Sequence, residues 1–448
     1  MDLAIVILAA GMGARMRSKL PQALHSVLGK PLLYYLLDTA RSLKPAQTVV
    51  VVGHQAEQVK EQLADHGVGQ SISFVLQSPQ LGTGHALQQT TSLLSGRSGL
   101  VLVLPSNLPL LTTQTLEKLL EAQQSSLAPL TVLTTPLTEF LGVDQKKQDD
   151  QYHFALVTAK PSTPEYTGLS QANTGVYLFR ADWLWNNINE IPADSNNEYC
   201  LTKLIDKAVE QGQPVQVVAL KDATEIIAVN NRARLAQAEA TIRQQINQKW
   251  MEAGVTLIDP TNTYIGLDVI LGQDTVIYPN TYLYGKTTVG DGSILGPGSF
   301  VIDSSLGHRC QVRFSVVEGA ILEDDVEIGP YAHLRSKAHL ATGVHMGNFG
   351  EVKNAYLGPG TKMGHFSYVG DAQVGANVNI GAGTITCNYD GQRKYPTQIG
   401  DNAFIGSDTM LVAPVNIGKN AKTGAGSVVT RDVPDDTLAY GVPARLKS

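Results

Sequence analysis

The chain changes its pattern of apolar and polar positions once, near the middle. In the first half, unbroken apolar runs recur as LAIVILAA (3–10), TVVVVG (48–53), ISFVLQ (72–77), LVLVL (100–104), NTGVYLF (173–179) and PVQVVAL (214–220). Runs without alternation predict strands buried on both faces. Between them, LLYYLLDTARSL (32–43) and AEQVKEQLADHG (56–67) read as helices. Strands alternating with helices at this spacing predict an α/β domain, a Rossmann-like parallel doubly wound sheet over residues 1–229. NRARLAQAEATIRQQINQKWMEAG (231–254) follows, rich in helix formers and closed by a glycine. It predicts a linker helix over residues 230–254, a rigid arm between domains.

Beyond it the period becomes six. Ile265, Leu271, Ile277, Leu283, Val289, Leu295 and Val301 are evenly spaced, and the pattern returns as Ile399, Ile405, Leu411, Ile417 and Thr423. Gly400, Gly406, Gly418 and Gly424 follow most of the second set directly; Leu357, Met363, Val369, Val374 and Ile380 lie between the runs, with one slip of phase. A sustained hexad predicts a left-handed parallel β-helix over residues 255–448, each unit one face of a triangular coil with its aliphatic residue inward. At eighteen residues per coil, 265–432 makes roughly nine coils, interrupted by a loop near 386–398. A packed β-helix has no interior pocket, so a ligand site must lie between coils or between subunits, and such helices commonly assemble as trimers.

Composition narrows the function. A formal charge of −6 and a pI near 5.9 leave no broad field for nucleic acid or anionic membrane. Cys200, Cys310 and Cys387 are too far apart for a CxxC site or a disulfide framework, which points to a reducing cytoplasm. Cys387 reads as a small hydrophobe, not a nucleophile. The first apolar run, eight residues leading into glycines, is too short for a membrane span.

The unusual polar residues cluster in YAHLRSKAHL (331–340), GNFGEVKNAYLG (347–358), GHFSYVGDAQVGANVNIGAGTITCNYDGQRKY (364–395) and IGSDTMLVAP (405–414). Over essentially its whole length the chain resembles the bifunctional N-acetylglucosamine-1-phosphate uridylyltransferase / glucosamine-1-phosphate acetyltransferase family, most specifically in these strings. The resemblance implies acetyl transfer from acetyl-CoA to the amine of glucosamine 1-phosphate, in a cytoplasmic homotrimer. His365 becomes the general base, a role suited to a neutral imidazole, and Glu351 the carboxylate that orients it. Arg335 and Lys353 become ligands of the sugar phosphate, Tyr368 and Asn379 of the sugar. Ala382, Asn388, Tyr389, Ser407 and Ala425 line acetyl-CoA, with Lys394 a cation nearby. His308, His333, His339 and His345 read as solvated. At the C-terminus the family's coenzyme-binding arginine is missing from LAYGVPARLKS, where Arg445 or Lys447 could substitute.

In the first half, LAAGMGARMRSKLPQALH (8–25) matches the family's nucleotide signature, implying Leu8, Ala9, Ala10, Gly11 and Arg15 as nucleotide-sugar contacts. LQSPQLGTGHA (76–86) adds Gln77, Gly82 and Thr83, NTGVY adds Asn173, and AVNNR adds Asn230 as a metal ligand. Pieces are missing. The phosphate-binding lysine is Gln22, the metal-binding aspartate is Asn107, and TEFLGVDQKKQDDQYHFALVTAKPSTPEYTG offers no match for the segments that close over the sugar. Mg2+ prefers anionic oxygen ligands, so its place beside Asn107 and Asn230 is doubtful and the expected uridylyltransferase activity is weak or lost. Three other readings stay open: a fully bifunctional enzyme turning over UTP, an N-terminal module that binds UDP-N-acetylglucosamine without catalysis, and a purely structural solenoid.

Overall fold

The structure, a computed structural model, describes residues 2–65, 72–136 and 171–447. The chain folds into two compact units, Met1–Thr241 and Ile242–Ser448. The division falls inside one helix, Arg232–Glu252.

The first unit is built on a seven-stranded sheet. Its order is Ile72–Leu76, Gln47–Val52, Leu3–Ala9, Leu100–Pro105, Gln171–Arg180, Leu130–Pro136, Val215–Ala219. The first four strands are parallel, as the apolar runs predict. Gln171–Arg180 is antiparallel to both its neighbours, so the sheet is mixed where a wholly parallel one was expected. The strand Leu130–Pro136 and the helix Thr113–Gln124 escape the apolar-run criterion. That strand carries three threonines, and buried Thr131 is satisfied by donating to Gln123 Oε1 at 2.7 Å. Hydrogen bonding lets a polar side chain occupy a core position. The segment 138–168, read as lacking the sugar-closing motifs, lies outside the described residues. The chain runs from Leu3–Ala9 outward in both directions, which makes the carboxyl ends of Leu3–Ala9 and Leu100–Pro105 the topological switch point.

The second unit is a parallel β-helix of three stacks, containing twelve, ten and nine strands. Its core is the column of hexad aliphatics, from Ile265 to Val433, all buried. The stack of ten spans nine coil intervals, and several steps around those coils are five residues long: Val301 to Leu306, Val312 to Val317, Val317 to Leu322, Val352 to Leu357, Val369 to Val374. Corner conformation tracks step length. Most six-residue steps place a left-handed residue three positions after the inward one, as at Asp274, Asn280, Gly292, Asp325 and Lys337; the five-residue steps place it two after, at Asp303, Phe314, Gly319, Asn354 and Asp371. Shortening a corner moves its sharp bend one residue earlier.

Four histidines read as merely solvated are partnered. His308, His333, His339 and His345 each face a carboxylate of the coil before, with His339 Nε2 at 2.8 Å from Glu323 and His333 Nε2 at 3.0 Å from Glu318. Successive coils lie about 4.8 Å apart, which puts side chains seventeen or so residues distant within hydrogen-bond reach. Among the described residues, no helix is long and apolar enough to cross a membrane.

Candidate functional site

The ten-stranded stack arranges its outward residues as a grid. Strand pairing aligns His333 with Glu351 and Glu351 with Tyr368, and residues two apart on a strand share a face. The outer face therefore carries Glu351 and Lys353 side by side, Tyr368 and Gly370 on the coil above, and His333 and Arg335 at the level below. Arg335 donates to Glu351 Oε1 at 3.0 Å, and this contact holds its guanidinium pKa above the ordinary value. Glu351 is thereby committed to Arg335 in this chain. Gly370 is required by its neighbours: a Cβ there would collide with Tyr368 Oη and come within 2.9 Å of Asn388 Nδ2.

After Ile385–Cys387 the chain leaves the coil and rejoins it at Thr397–Ile399. The excursion is closed by a bridge between Tyr389 and Lys394 and by Tyr395 N–H donating to Asn388 O at 2.8 Å. It returns Lys394 to the grid. There the Lys353 ammonium is held below its usual pKa by the neighbouring Lys394 first and then by the Arg335 charge. Three cations thus converge on one patch, the electrostatic signature of a site for a dianion.

His365 lies in the corner before Ser367–Gly370, exposed and without a protein partner among the described residues. Directly above it in successive coils stand Ala382, Ser407 and Ala425. Asp408 N–H bonds to Ala382 O and Gly426 N–H to Ser407 O, which fixes the register of the column. A column of small residues roughly 14 Å long therefore rises over three coils from the imidazole. Asn379 stands apart from the grid: it projects from the twelve-stranded stack, between Lys362 and Phe404, on the other side of the corner. Asn388 is buried, Tyr389 exposed. Cys387 is half-buried, and burial pushes its thiol pKa up, which keeps it a poor nucleophile.

In the first unit, a cavity of about 340 Å³ opens at the switch point. It brings together Leu8, Arg15, Thr83, Asn107, Asn173 and Asn230 from the sequence-derived set. Ala9, Ala10, Gly11, Gln77 and Gly82 are not part of its lining. Gln77 is buried and donates to Gly82 O at 2.9 Å, while a Cβ on Gly82 would strike the Tyr199 backbone at 2.8 Å. Nothing lies within 4 Å of a Cβ built on Gly11, so its backbone faces open space. Glu198, Cys200 and Thr202 also line the cavity. The sequence held no motif for them; they arrive because Gly84 N–H bonds to Tyr199 O at 2.6 Å and pulls that loop in.

At the cavity's end three amides meet. Asn107 Nδ2 donates to Asn230 Oδ1 at 2.6 Å; Gln22 Nε2 donates to Val229 O at 2.5 Å and to Asn230 Oδ1 at 3.3 Å. Gln22 is seated on the glycine turn, where a Cβ on Gly13 would come within 2.7 Å of its own Cβ. Mg2+ takes hard anionic oxygen ligands. This spot offers neutral amides already bonded to one another, and they do not fit the ion.

Two family profiles match the chain. A MobA-like NTP transferase domain covers residues 5–252, and the bacterial transferase hexapeptide (six repeats) covers 268–303 and 396–431. Among curated proteins, the bifunctional protein GlmU of Exiguobacterium sibiricum is 44% identical over 436 residues, 97% of this chain and 96% of the relative. That of Pelobacter propionicus is 42% identical over 441 residues, 98% and 95% of the two chains, and that of Lactococcus lactis subsp. lactis 42% over 438 residues, 97% and 94%.

Proposed function

We propose that this chain, which belongs to the family of bifunctional GlmU proteins, transfers the acetyl group of acetyl-CoA to the amine of glucosamine 1-phosphate. The observation that carries the reading is the convergence of Arg335, Lys353 and Lys394 beside Glu351 and Tyr368, with His365 at one edge and the small-residue column above it. The three cations would take the phosphate, and Tyr368 and Asn379 the sugar. The column of Ala382, Ser407 and Ala425 would carry the coenzyme's arm, with Asn388 and Tyr389 alongside. His365 removes a proton as the sugar nitrogen attacks the thioester carbonyl; the tetrahedral adduct expels coenzyme A thiolate and leaves N-acetylglucosamine 1-phosphate. Glu351 would turn from Arg335 to orient the imidazole once phosphate takes the guanidinium.

The assembly fits this scheme. Along the outer face of the ten-stranded stack the register runs Tyr264, Tyr282, Phe300, Val316, then His333, Glu351, Tyr368, then Ile385, Met410, Val428. A polar centre flanked by apolar runs is what a face sealed by a neighbouring copy requires, and Asn379 of that copy could approach from the opposite wall. We take the active form to be a cytoplasmic homotrimer.

His365→Ala should lower acetyl transfer by about 10²–10⁴-fold while the oligomer persists; retained activity would remove His365 from the chemistry and leave a structural solenoid open. In the N-terminal unit we infer weak or absent uridylyl transfer, because the amide cluster supplies no charge for a metal-assisted phosphoryl step. The purified protein with UTP, N-acetylglucosamine 1-phosphate and Mg2+ should turn over little, and Asn107→Asp should recover part of the rate. Robust parental turnover would instead establish the full bifunctionality for which the relatives are named. Saturable UDP-N-acetylglucosamine binding without turnover would make the unit a binding module.

A further inference from the structure

We propose that Asp371 is a positioning residue of the acetyltransferase site: it anchors the excursion 388–396 so that Lys394 stands beside Lys353 and completes the cradle for the phosphate dianion. The inference rests on the acetyl-transfer reading above and adds a residue that touches no substrate.

Asp371 occupies the left-handed position of a five-residue corner, φ +50°, with Asn354 at the equivalent position one coil below and Asn388 one coil above. Both amides converge on its carboxylate: Asn354 Nδ2 donates to Oδ1 at 2.5 Å and Asn388 Nδ2 to Oδ2 at 2.5 Å. The backbone ties the same three levels, since Asp371 N–H donates to Lys353 O and Thr397 N–H donates to Asp371 O, each at 3.1 Å. Asn388 opens the excursion and Thr397 closes it, so one residue holds both feet of the loop. Lys394 Nζ lies 3.9 Å from Asp371 Oδ2, at the outer limit of an ion pair.

The charges give the arrangement its purpose. Arg335, Lys353 and Lys394 repel one another, and Lys394 and Arg335 together hold the Lys353 pKa down. A long lysine on a surface loop would swing away from two other cations. Glu351 is occupied by Arg335, which leaves Asp371 as the anion facing the two lysines from behind. Its side chain is 16% exposed against 47% for Lys394. With each oxygen already accepting an amide, it is placed to hold a cation and badly placed to take a proton from substrate.

The test is steady-state acetyl transfer across pH with Asp371→Asn, which keeps the side-chain shape and removes the charge. KM for glucosamine 1-phosphate should rise about tenfold, the scale of one charge-assisted contact, with KM for acetyl-CoA and kcat nearly unchanged. The pH above which the sugar-phosphate KM climbs should also fall, because Lys353 loses the countercharge that raises its pKa. Asp371→Glu, which restores the charge on a longer arm, should recover part of the loss. An unchanged sugar-phosphate KM, or equal damage to both KM values and kcat at every pH, overturns the proposal. If Asp371→Asn does not fold, the KM split in Asp371→Glu decides. Absence of acetyl transfer by the unmodified protein would overturn the acetyl-transfer reading itself.

Discussion

Glu323 is a surface residue whose carboxylate makes three contacts with two partners. Oε1 lies 2.8 Å from His339 Nε2, and Oε2 accepts from both the N–H and the hydroxyl of Thr342 at 3.0 Å. The Thr342 amide first, and the His339 contact after it, hold the Glu323 pKa below its ordinary 4.5. A carboxylate with a depressed folded pKa contributes stability that is present above the unfolded value and is lost as pH falls through the folded one. Glu323→Gln should therefore melt below the parent protein at pH 7, and the gap should close as pH drops through the range beneath 4.5. A gap that persists in acid would show that the charge was not what mattered. The same histidine marks a limit of reading side chains from sequence. Nothing local to His339 announces a partner sixteen residues away; only the stacking of coils brings Glu323 beneath it.

At the scale of the element, the hexad was legible because an inward aliphatic is a hydrophobic constraint that every coil repeats. Of the five-residue steps only Val369 to Val374 was legible, as a slip of phase; the others are set by which corner residue adopts the left-handed conformation, and that choice leaves a weak trace when Phe314 does it in place of glycine or asparagine. Such positions cost a side-chain-bearing residue about 1–2 kcal/mol. Lys337 is exposed at φ +64°, whereas Lys362 is exposed within a strand of the twelve-stranded stack. Replacing each with glycine should give opposite results in chemical denaturation. Lys337→Gly should be neutral or stabilising by up to about 1 kcal/mol, and Lys362→Gly destabilising by a similar amount. Equal losses at both sites would mean that the corner carries no strain. In the N-terminal sheet, the four parallel strands were legible as apolar runs, while Leu130–Pro136 was hidden by its threonines, of which Thr131 is satisfied in the core by Gln123, a residue from a different element.

Across the whole molecule, the two halves yielded unequally. In the β-helix the candidate residues are scattered from Arg335 to Ala425, yet the fold gathers most of them, because the stacking of coils turns sequence spacing into columns: Arg335 under Lys353, His365 under Ala382. Asp371 carries no distinctive motif of its own chemistry and becomes visible only once Asn354 and Asn388 are seen to bracket it. In the N-terminal unit the substitutions at Gln22 and Asn107 could be read in the chain, but not their consequence, which is that both replacements bond to Asn230 Oδ1.

The long departure from the coil, residues 388–396, also separates two tasks that most enzymes entangle. The inward columns continue through it undisturbed, Thr386 aligned with Leu411 and Val374 with Ile399, so the load of holding the solenoid together passes beside the loop and not through it. What hangs from that corner is free to vary in length and charge without any penalty to the scaffold. The cation opposite Lys353 is, in that sense, an interchangeable fitting: descendants of this protein could alter the anion they accept by rewriting nine residues and leaving every coil as it stands.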